Sequence, residues 1–205
     1  MVLQFTILAW DVNKLLQVSS AELTLALIRP VGKLTTMTPQ TDTQLLFNPL
    51  RKFALWALSC PAWLSMRLIT WMFRYKVKLV GTAGTQIVAT DLQSVTFVQA
   101  NKRKVQNHIG GVHAAAMALL AESASGFVVG LNLPGGRLPL IKQMNLKYVK
   151  RARGALRATA HLSDSQLSEM LLMPKGEVQV AVKVTDEDGN EPVICEMTWA
   201  WIEKK

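Results

Sequence analysis

The sequence predicts an α+β fold, in which one long helix lies across an antiparallel sheet, and three observations predict it. Residues 112–125 contain Ala114, Ala115, Ala116, Ala118, Ala121 and Ala124 with Leu119 and Leu120, a strong helix composition whose small side chains allow close approach to a sheet. Short β-rich runs precede and follow that helix. Tight turns join the later runs, so consecutive strands must pair antiparallel and leave the helix on one face. The domain plan is a poorly patterned extension over 1–44, a helical segment over 45–75 and the α+β domain over 76–205.

The first 36 residues show no sustained period. Ser19-x-x-Glu22 forms a capping-box pattern before the apolar run Leu23–Ile28, which Pro30 ends. Met37 opens the polar stretch Met-Thr-Pro-Gln-Thr-Asp-Thr and reads as an alternative start. Residues 45–75 differ: Phe47–Tyr75 holds Trp56, Trp63, Trp71, Arg51, Lys52, Arg67 and Arg74, and no acid. Pro61 divides this stretch into two helices, and Arg67, Thr70 and Arg74 place a polar stripe on the second. Pro61 and Arg67 argue against a membrane span over Phe53–Phe73. Packing against the main domain is the first expectation for this segment; a basic amphipathic surface on an anionic membrane, through residues 47–75, is the second.

From Lys76 the pattern becomes strand-like. Val77–Val80, Gln86–Leu92 and Val95–Gln99 are expected strands, followed by the alanine-rich helix with Gly126 as its stop. Four more strands are expected over Phe127–Leu133, Pro139–Val149, Ala155–Leu162 and Val178–Thr185. In the last of these Val178, Val180, Val182 and Val184 alternate with Gln179, Ala181 and Lys183, which buries one face. The turn Asp186–Asn190 reverses the chain into Val193–Ile202, which sets Val193, Cys195, Met197, Trp199 and Trp201 on one side.

The net charge is +9, and its placement matters more than its size. Residues 137–157 hold Arg137, Lys142, Lys147, Lys150, Arg151, Arg153 and Arg157 without an acid, a strip that reads either as a solvated sheet face or as an anion-binding surface. Tyr148 is the one aromatic among them, so nucleic acid is not the expected partner. Cys60 and Cys195 belong to no metal-ligand or redox spacing, and neither metal nor cofactor is expected. Met1–Trp10 lacks a basic leader and a small-residue cleavage site, so the expected location is cytoplasmic, with a peripheral membrane association as the variant of that expectation.

The chemistry is concentrated in the run Asn107-His108-Ile109-Gly110-Gly111-Val112-His113 and the helix after it, through Glu122 to Gly126. Asn107, His113 six residues later, Glu122 nine further on and Gly126 resemble, in spacing, the hotdog thioesterases of the phenylacetic-acid pathway type. The likeness is stronger to a bacterial hotdog family grouped as a domain of unknown function. Asn145 to Gly154 is similar to that family's aromatic strand leading to an Ala-x-Gly corner, and the resemblance covers residues 76–205. It implies a hotdog fold, hydrolysis of an acyl-CoA or acyl carrier protein thioester, and homodimers or dimers of dimers with sites at the subunit interface. Two positions depart from the pattern: His113-Ala114-Ala115 stands for His-Gly-Gly, and Glu122 for the more frequent Asp.

The residues support this chemistry on their own terms. A thioester hydrolase needs donors for the carbonyl oxygen and a carboxylate to activate water or attack directly. The helix start near His113 supplies backbone donors, Ala114 among them, at the positive end of the dipole. Glu122 supplies the carboxylate as base or nucleophile, and Asn107 is expected to position the thioester or the water. On one helix a separation of nine residues is roughly 180° of rotation and about 13–14 Å of rise, so His113 and Glu122 cannot serve one site within one chain. An antiparallel pairing of two such helices across a two-fold axis would unite them. Arg151, Arg153 and Arg157 are candidates for the substrate's phosphates.

Against this stand a cap role for His113 with Glu122 an ordinary exposed residue, and a non-catalytic acyl-binding protein of the same fold. His108 and His161 are expected to be structural or exposed. No Ser-His-Asp arrangement, glycine-rich phosphate loop or hydratase-type dyad is present.

Overall fold

The computed structural model describes residues 48–203, so the Ser19–Glu22 capping box, the run Leu23–Ile28 and the alternative start at Met37 lie outside the described residues. Two helices come first, divided at Pro61: α1 spans Pro49–Ser59 and α2 spans Ala62–Lys76. Asn48 caps α1, its Oδ1 accepting from the Leu50 and Arg51 N–H groups at 2.9 and 3.1 Å. The same side chain's Nδ2 donates to the carbonyls of Gly130 and Leu133, each at 2.7 Å, at the far end of the core helix.

This pair packs on the domain. Ala54, Ala57 and Ile69 are buried in the core that also holds the sheet's inner face. Phe73 of α2 meets Phe97 and Phe127 edge-to-face, with centroids 5.5 and 5.1 Å apart. The polar stripe of α2 divides in role. Arg67 is exposed, whereas Thr70 turns to strand β1, Gln86–Thr90, and Arg74 to the residues just before it. Thr70 Oγ1 accepts from the Ile87 N–H at 3.0 Å and donates to its carbonyl at 3.2 Å. Arg74 Nε donates to the Thr85 carbonyl at 2.7 Å. β1 is an edge strand, and these bonds cover part of its open side.

Val77–Val80 is not the expected strand. It runs into a short helix α3, Lys78–Ala83, which folds back on α2 because Gly81 has no Cβ; one there would stand 2.9 Å from the Arg74 carbonyl oxygen. Gly84, at φ 76°, ends the helix in the left-handed region.

The remaining strands are β2 Ser94–Gln99, β3 Arg137–Tyr148, β4 Leu156–His161, β5 Gly176–Asp186 and β6 Val193–Glu203. They form one six-stranded antiparallel sheet in the order β1-β2-β4-β5-β6-β3. The alternation in β5 and β6 is as expected: Val178, Val180 and Val184, and Val193, Cys195, Met197, Trp199 and Trp201, are buried. Asp186 and Asn190 close the turn between them through a 2.9 Å backbone hydrogen bond.

The core helix α4 spans Ala114–Asn132 and overturns two expectations. Gly126 does not stop it, and the expected strand Phe127–Leu133 is instead the end of the helix, with Leu133 as its C-cap. The reason is packing: a Cβ at Gly126 would lie 2.6 Å from the Trp199 ring, so the glycine makes room for an indole within the helix. Phe127, Val128, Val129 and Leu131 are buried, which explains an apolar run without helical period. α4 is also the one helix among the described residues long and apolar enough to cross a membrane, and it lies in the core. A further helix, α5 at Asp164–Leu172, was not anticipated; a capping box of Ser163 and Gln166 starts it.

Candidate active site

The loop before α4 is built around Asn107. Its Oδ1 accepts from the N–H groups of Ile109 and Gly111, both at 3.1 Å, and its own N–H donates to the Gly111 carbonyl at 2.8 Å. Gly110 supplies the φ of 79° that this turn requires. Asn107 thus shapes the approach to the helix.

His113 is the helix cap. Its Nδ1 accepts from the Ala115 N–H at 3.0 Å, which places the ring proton on Nε2, and the ring is exposed. Its carbonyl accepts from Ala116 and Met117 at 2.9 and 3.1 Å. The Ala114 N–H between them meets no acceptor among the described residues and sits at the exposed positive end of the helix. Tyr148, at the end of β3, donates its hydroxyl to the Ala114 carbonyl at 2.9 Å and fixes the helix start to the sheet. The helix start therefore offers a free, pinned backbone donor.

Glu122 lies further along the same helix, half-buried. No hydrogen bond or ion pair to its carboxylate exists among the described residues, and burial pushes its carboxyl above the ordinary glutamate range. With Ala115, Ala118 and Leu119 it forms the seam of α4 that the chain covers only in part. Ser125, whose hydroxyl donates to the carbonyls of Ala121 and Glu122 at 2.9 and 3.0 Å, accepts the Trp199 indole N–H at 2.9 Å and braces this turn. Because Glu122 and His113 share one helix, the single chain does not bring them together.

Beside the Asn107 loop lies a cavity of about 370 Å³ lined by Asn101, Gly110, Gly111, Arg151, Ala152, Arg153 and Gly154. Two of the three candidate arginines are thus in one place. Arg151 Nη2 donates to the Ile109 carbonyl at 3.1 Å, and Arg153 pairs with Asp188 at 3.7 Å. Arg157 is elsewhere, on the exposed face of β4 opposite the buried Leu156 and Ala158, and it does not line the cavity. The rest of the basic strip is dispersed: Arg137 donates to the Met170 carbonyl at 2.6 Å, and Lys142 pairs with Glu177. His108 and His161 are exposed.

Two side chains at or beside the cavity have bonding roles that the sequence did not signal. Asn101 donates to the Gly110 carbonyl at 3.0 Å, while its buried Oδ1 has no partner among the described residues. Asp186 holds the arginine loop: Oδ2 accepts from the Arg153 N–H at 3.2 Å, and Oδ1 from Asp188 and Asn190 at 3.1 and 2.9 Å. Burial raises the Asp186 carboxyl, but these bonds outweigh it and hold the group below the usual aspartate range. Among the described residues no three His, Cys, Asp or Glu side chains converge as metal ligands would.

The family model described as domain of unknown function DUF4442 matches residues 65–202, well over half of the chain. The chain belongs to the DUF4442 family. Its match begins at Ser65, inside α2, and so takes in most of that helix with the sheet and the core helix of this DUF4442 protein. No curated protein matches the sequence. Among solved structures it is similar to a Pseudomonas aeruginosa protein of unknown function described as a probable thioesterase, with TM-score 0.60 and 22% identity over 67% of this chain and 95% of that one. It is also similar to a Haemophilus influenzae thioesterase, with TM-score 0.54 and 15% identity over 67% and 90% of the two chains. A mutant of a second Pseudomonas aeruginosa thioesterase gives 0.53 and 18% over 65% and 94%. At these identities the likeness is one of fold: the DUF4442 chain has the hotdog architecture, α+β, with its long helix against the antiparallel sheet.

Proposed function

We propose that this protein hydrolyses an acyl thioester, carried by coenzyme A or acyl carrier protein, at a site composed from two copies of the chain. The observation that carries the reading is the Glu122 carboxylate, half-buried, without a partner among the described residues and raised in pKa by burial. A carboxylate kept in that state has no structural task that the chain itself reveals, and a base raised toward neutrality suits proton abstraction from water. The names of the fold relatives as thioesterases support the same class.

In the proposed dimer, Glu122 of the partner subunit faces the helix start of the first. The Ala114 N–H takes the thioester oxygen as charge develops on it, and the Asn107 loop shapes the entrance. Arg151 and Arg153, beside the cavity next to that loop, hold the phosphates of the carrier, and Arg157, away from the cavity on β4, is left out of this role. β3 supports the pairing. It is the sheet's uncovered edge, 12 residues long, with Leu138, Leu140 and Met144 exposed, and the half-covered seam of α4 also awaits a partner.

The test is hydrolysis across a panel of acyl-CoA and acyl carrier protein thioesters by wild type and Glu122→Gln. Turnover of at least one thioester by wild type, and its loss in a variant of unchanged fold and oligomer size, is expected. A catalytically normal variant sinks the mechanism. Acyl binding without turnover by wild type replaces it with the acyl-binding reading, which the Ala114 methyl group at the helix start favours by narrowing the approach to the donor.

A further inference from the structure

Helix α2 carries a surface for which the proposed chemistry has no use. Its buried side is Ser65, Ile69 and Thr70. On the other side Trp63, Arg67, Trp71 and Tyr75 recur at every fourth position, which aligns them as one ridge, and all four are exposed. Trp63 is 67% exposed, Trp71 66% and Tyr75 70%. The Trp71 and Tyr75 rings stack with centroids 6.0 Å apart, and Lys76 Nζ lies 5.9 Å from the Tyr75 centroid. Large aromatics held together in water mark a binding surface rather than chance exposure.

The charge around the ridge states what kind of partner fits. Residues 48–90 contain Arg51, Lys52, Arg67, Arg74, Lys76 and Lys78 and no acid at all. Arg74 is committed to the Gly84 and Thr85 carbonyls, but Arg67, Lys76 and Lys78 are exposed beside the rings. The partner must therefore offer negative charge at its surface and an apolar layer just beneath. Tryptophan and tyrosine, with an apolar body and one polar tip, partition to that boundary in a lipid bilayer, and basic side chains add attraction to anionic headgroups. The exposed apolar residues of β3, Leu138, Leu140 and Met144, by contrast, are aliphatic and carry no exposed tryptophan beside them.

We propose that the Trp63–Arg67–Trp71–Tyr75 ridge docks the protein on an anionic lipid bilayer, with the rings at the headgroup boundary and Arg67, Lys76 and Lys78 against lipid phosphates. This stands independently of the thioesterase reading. The docking is peripheral: Thr70 remains bonded to the sheet edge, Arg74 to the turn before it, and Ile69 remains in the core, so the helix lies on the membrane without leaving the domain.

The experiment is co-sedimentation of the full chain with vesicles of phosphatidylcholine plus phosphatidylglycerol and with phosphatidylcholine alone, joined to iodide quenching of tryptophan fluorescence. Binding to the anionic vesicles is expected, weakened when salt is raised from about 0.1 to about 1 M, because the Debye length then shrinks from ~10 to ~3 Å. Quenching should be efficient without vesicles and fall on binding. The combined substitution Trp63→Ser, Trp71→Ser and Tyr75→Ser should weaken binding at least about tenfold while leaving the melting temperature close to wild type, as these side chains lie outside the core. Three results overturn the proposal: equal binding by the substituted protein, iodide protection already present without vesicles, or an oligomer that shrinks on substitution, which would assign the ridge to a second copy of the chain. An Arg67→Glu variant guards against a triple variant that fails to fold, and unchanged lipid binding by Arg67→Glu also counts against the proposal.

Discussion

Glu122 unites the strongest residue-scale observations: it is the one acid between Asp91 and Asp164, and burial raises its carboxyl. A carboxyl with a raised folded-state pKa costs stability once it ionises, a cost absent at pH well below the ordinary value of 4.5 and complete above the raised one. Glu122→Gln should therefore melt at a higher temperature than wild type near neutrality. That gain should vanish as the pH falls below the ordinary glutamate range, and scanning calorimetry from acid to neutral pH reads both. No gain at neutral pH would mean that the carboxylate is well solvated. For the cavity, Arg151→Ala and Arg153→Ala should each raise KM for a coenzyme A thioester roughly tenfold with kcat little changed, since phosphate contacts act mostly as uniform binding. Equal KM values would remove the loop from the binding site. Glu122, Asn107 and His113 could be nominated from sequence because they lie close together in one run, and their part in a site remains the proposal that these experiments test. Asn101, Tyr148 and Asp186 were not, because each acts on backbone groups brought near only by folding: Tyr148 on Ala114, Asp186 on Arg153 and Asn101 on Gly110.

At the scale of elements the sheet was readable and the helices were less so. Period-2 burial in β5 and β6 survives folding because each strand has one face on α4 and one in water. The second half of α4 defeats the same logic: it is buried nearly all round, so no helical period remains to read, and Gly126 mimics a terminator. α5 did carry a signal, the Ser163-x-x-Gln166 capping box. The Gly126–Trp199 contact supplies a sharp check. Alanine there would gain about 1 kcal/mol in helix propensity but force the indole aside at a cost of about 1–3 kcal/mol and strain its bond to Ser125. Gly126→Ala should therefore be net destabilising in urea unfolding. A stabilised variant would show that Trp199 repacks freely.

On the scale of the whole molecule, the separation of Glu122 from the helix start predicts complementation. Glu122→Gln subunits mixed with subunits carrying Ala114→Pro, which removes the donor at the first helical position where proline is tolerated, should recover part of the lost activity in hybrid dimers, up to about one quarter to one half of wild type when one intact site forms per hybrid. Each variant alone should be inactive, and no recovery after subunit exchange would place the site within one chain. The Asn48 side chain has a different kind of consequence. One amide closes the start of α1 and the end of α4, while Arg51 Nη1 donates to Asn132 Oδ1 at 2.8 Å beside it. The first described helix and the last turn of the core helix therefore cannot open independently without stranding buried carbonyls and N–H groups. They make one cooperative unit, so the backbone amides of both segments should exchange with solvent deuterium through a shared opening, although more than 80 residues of chain separate them.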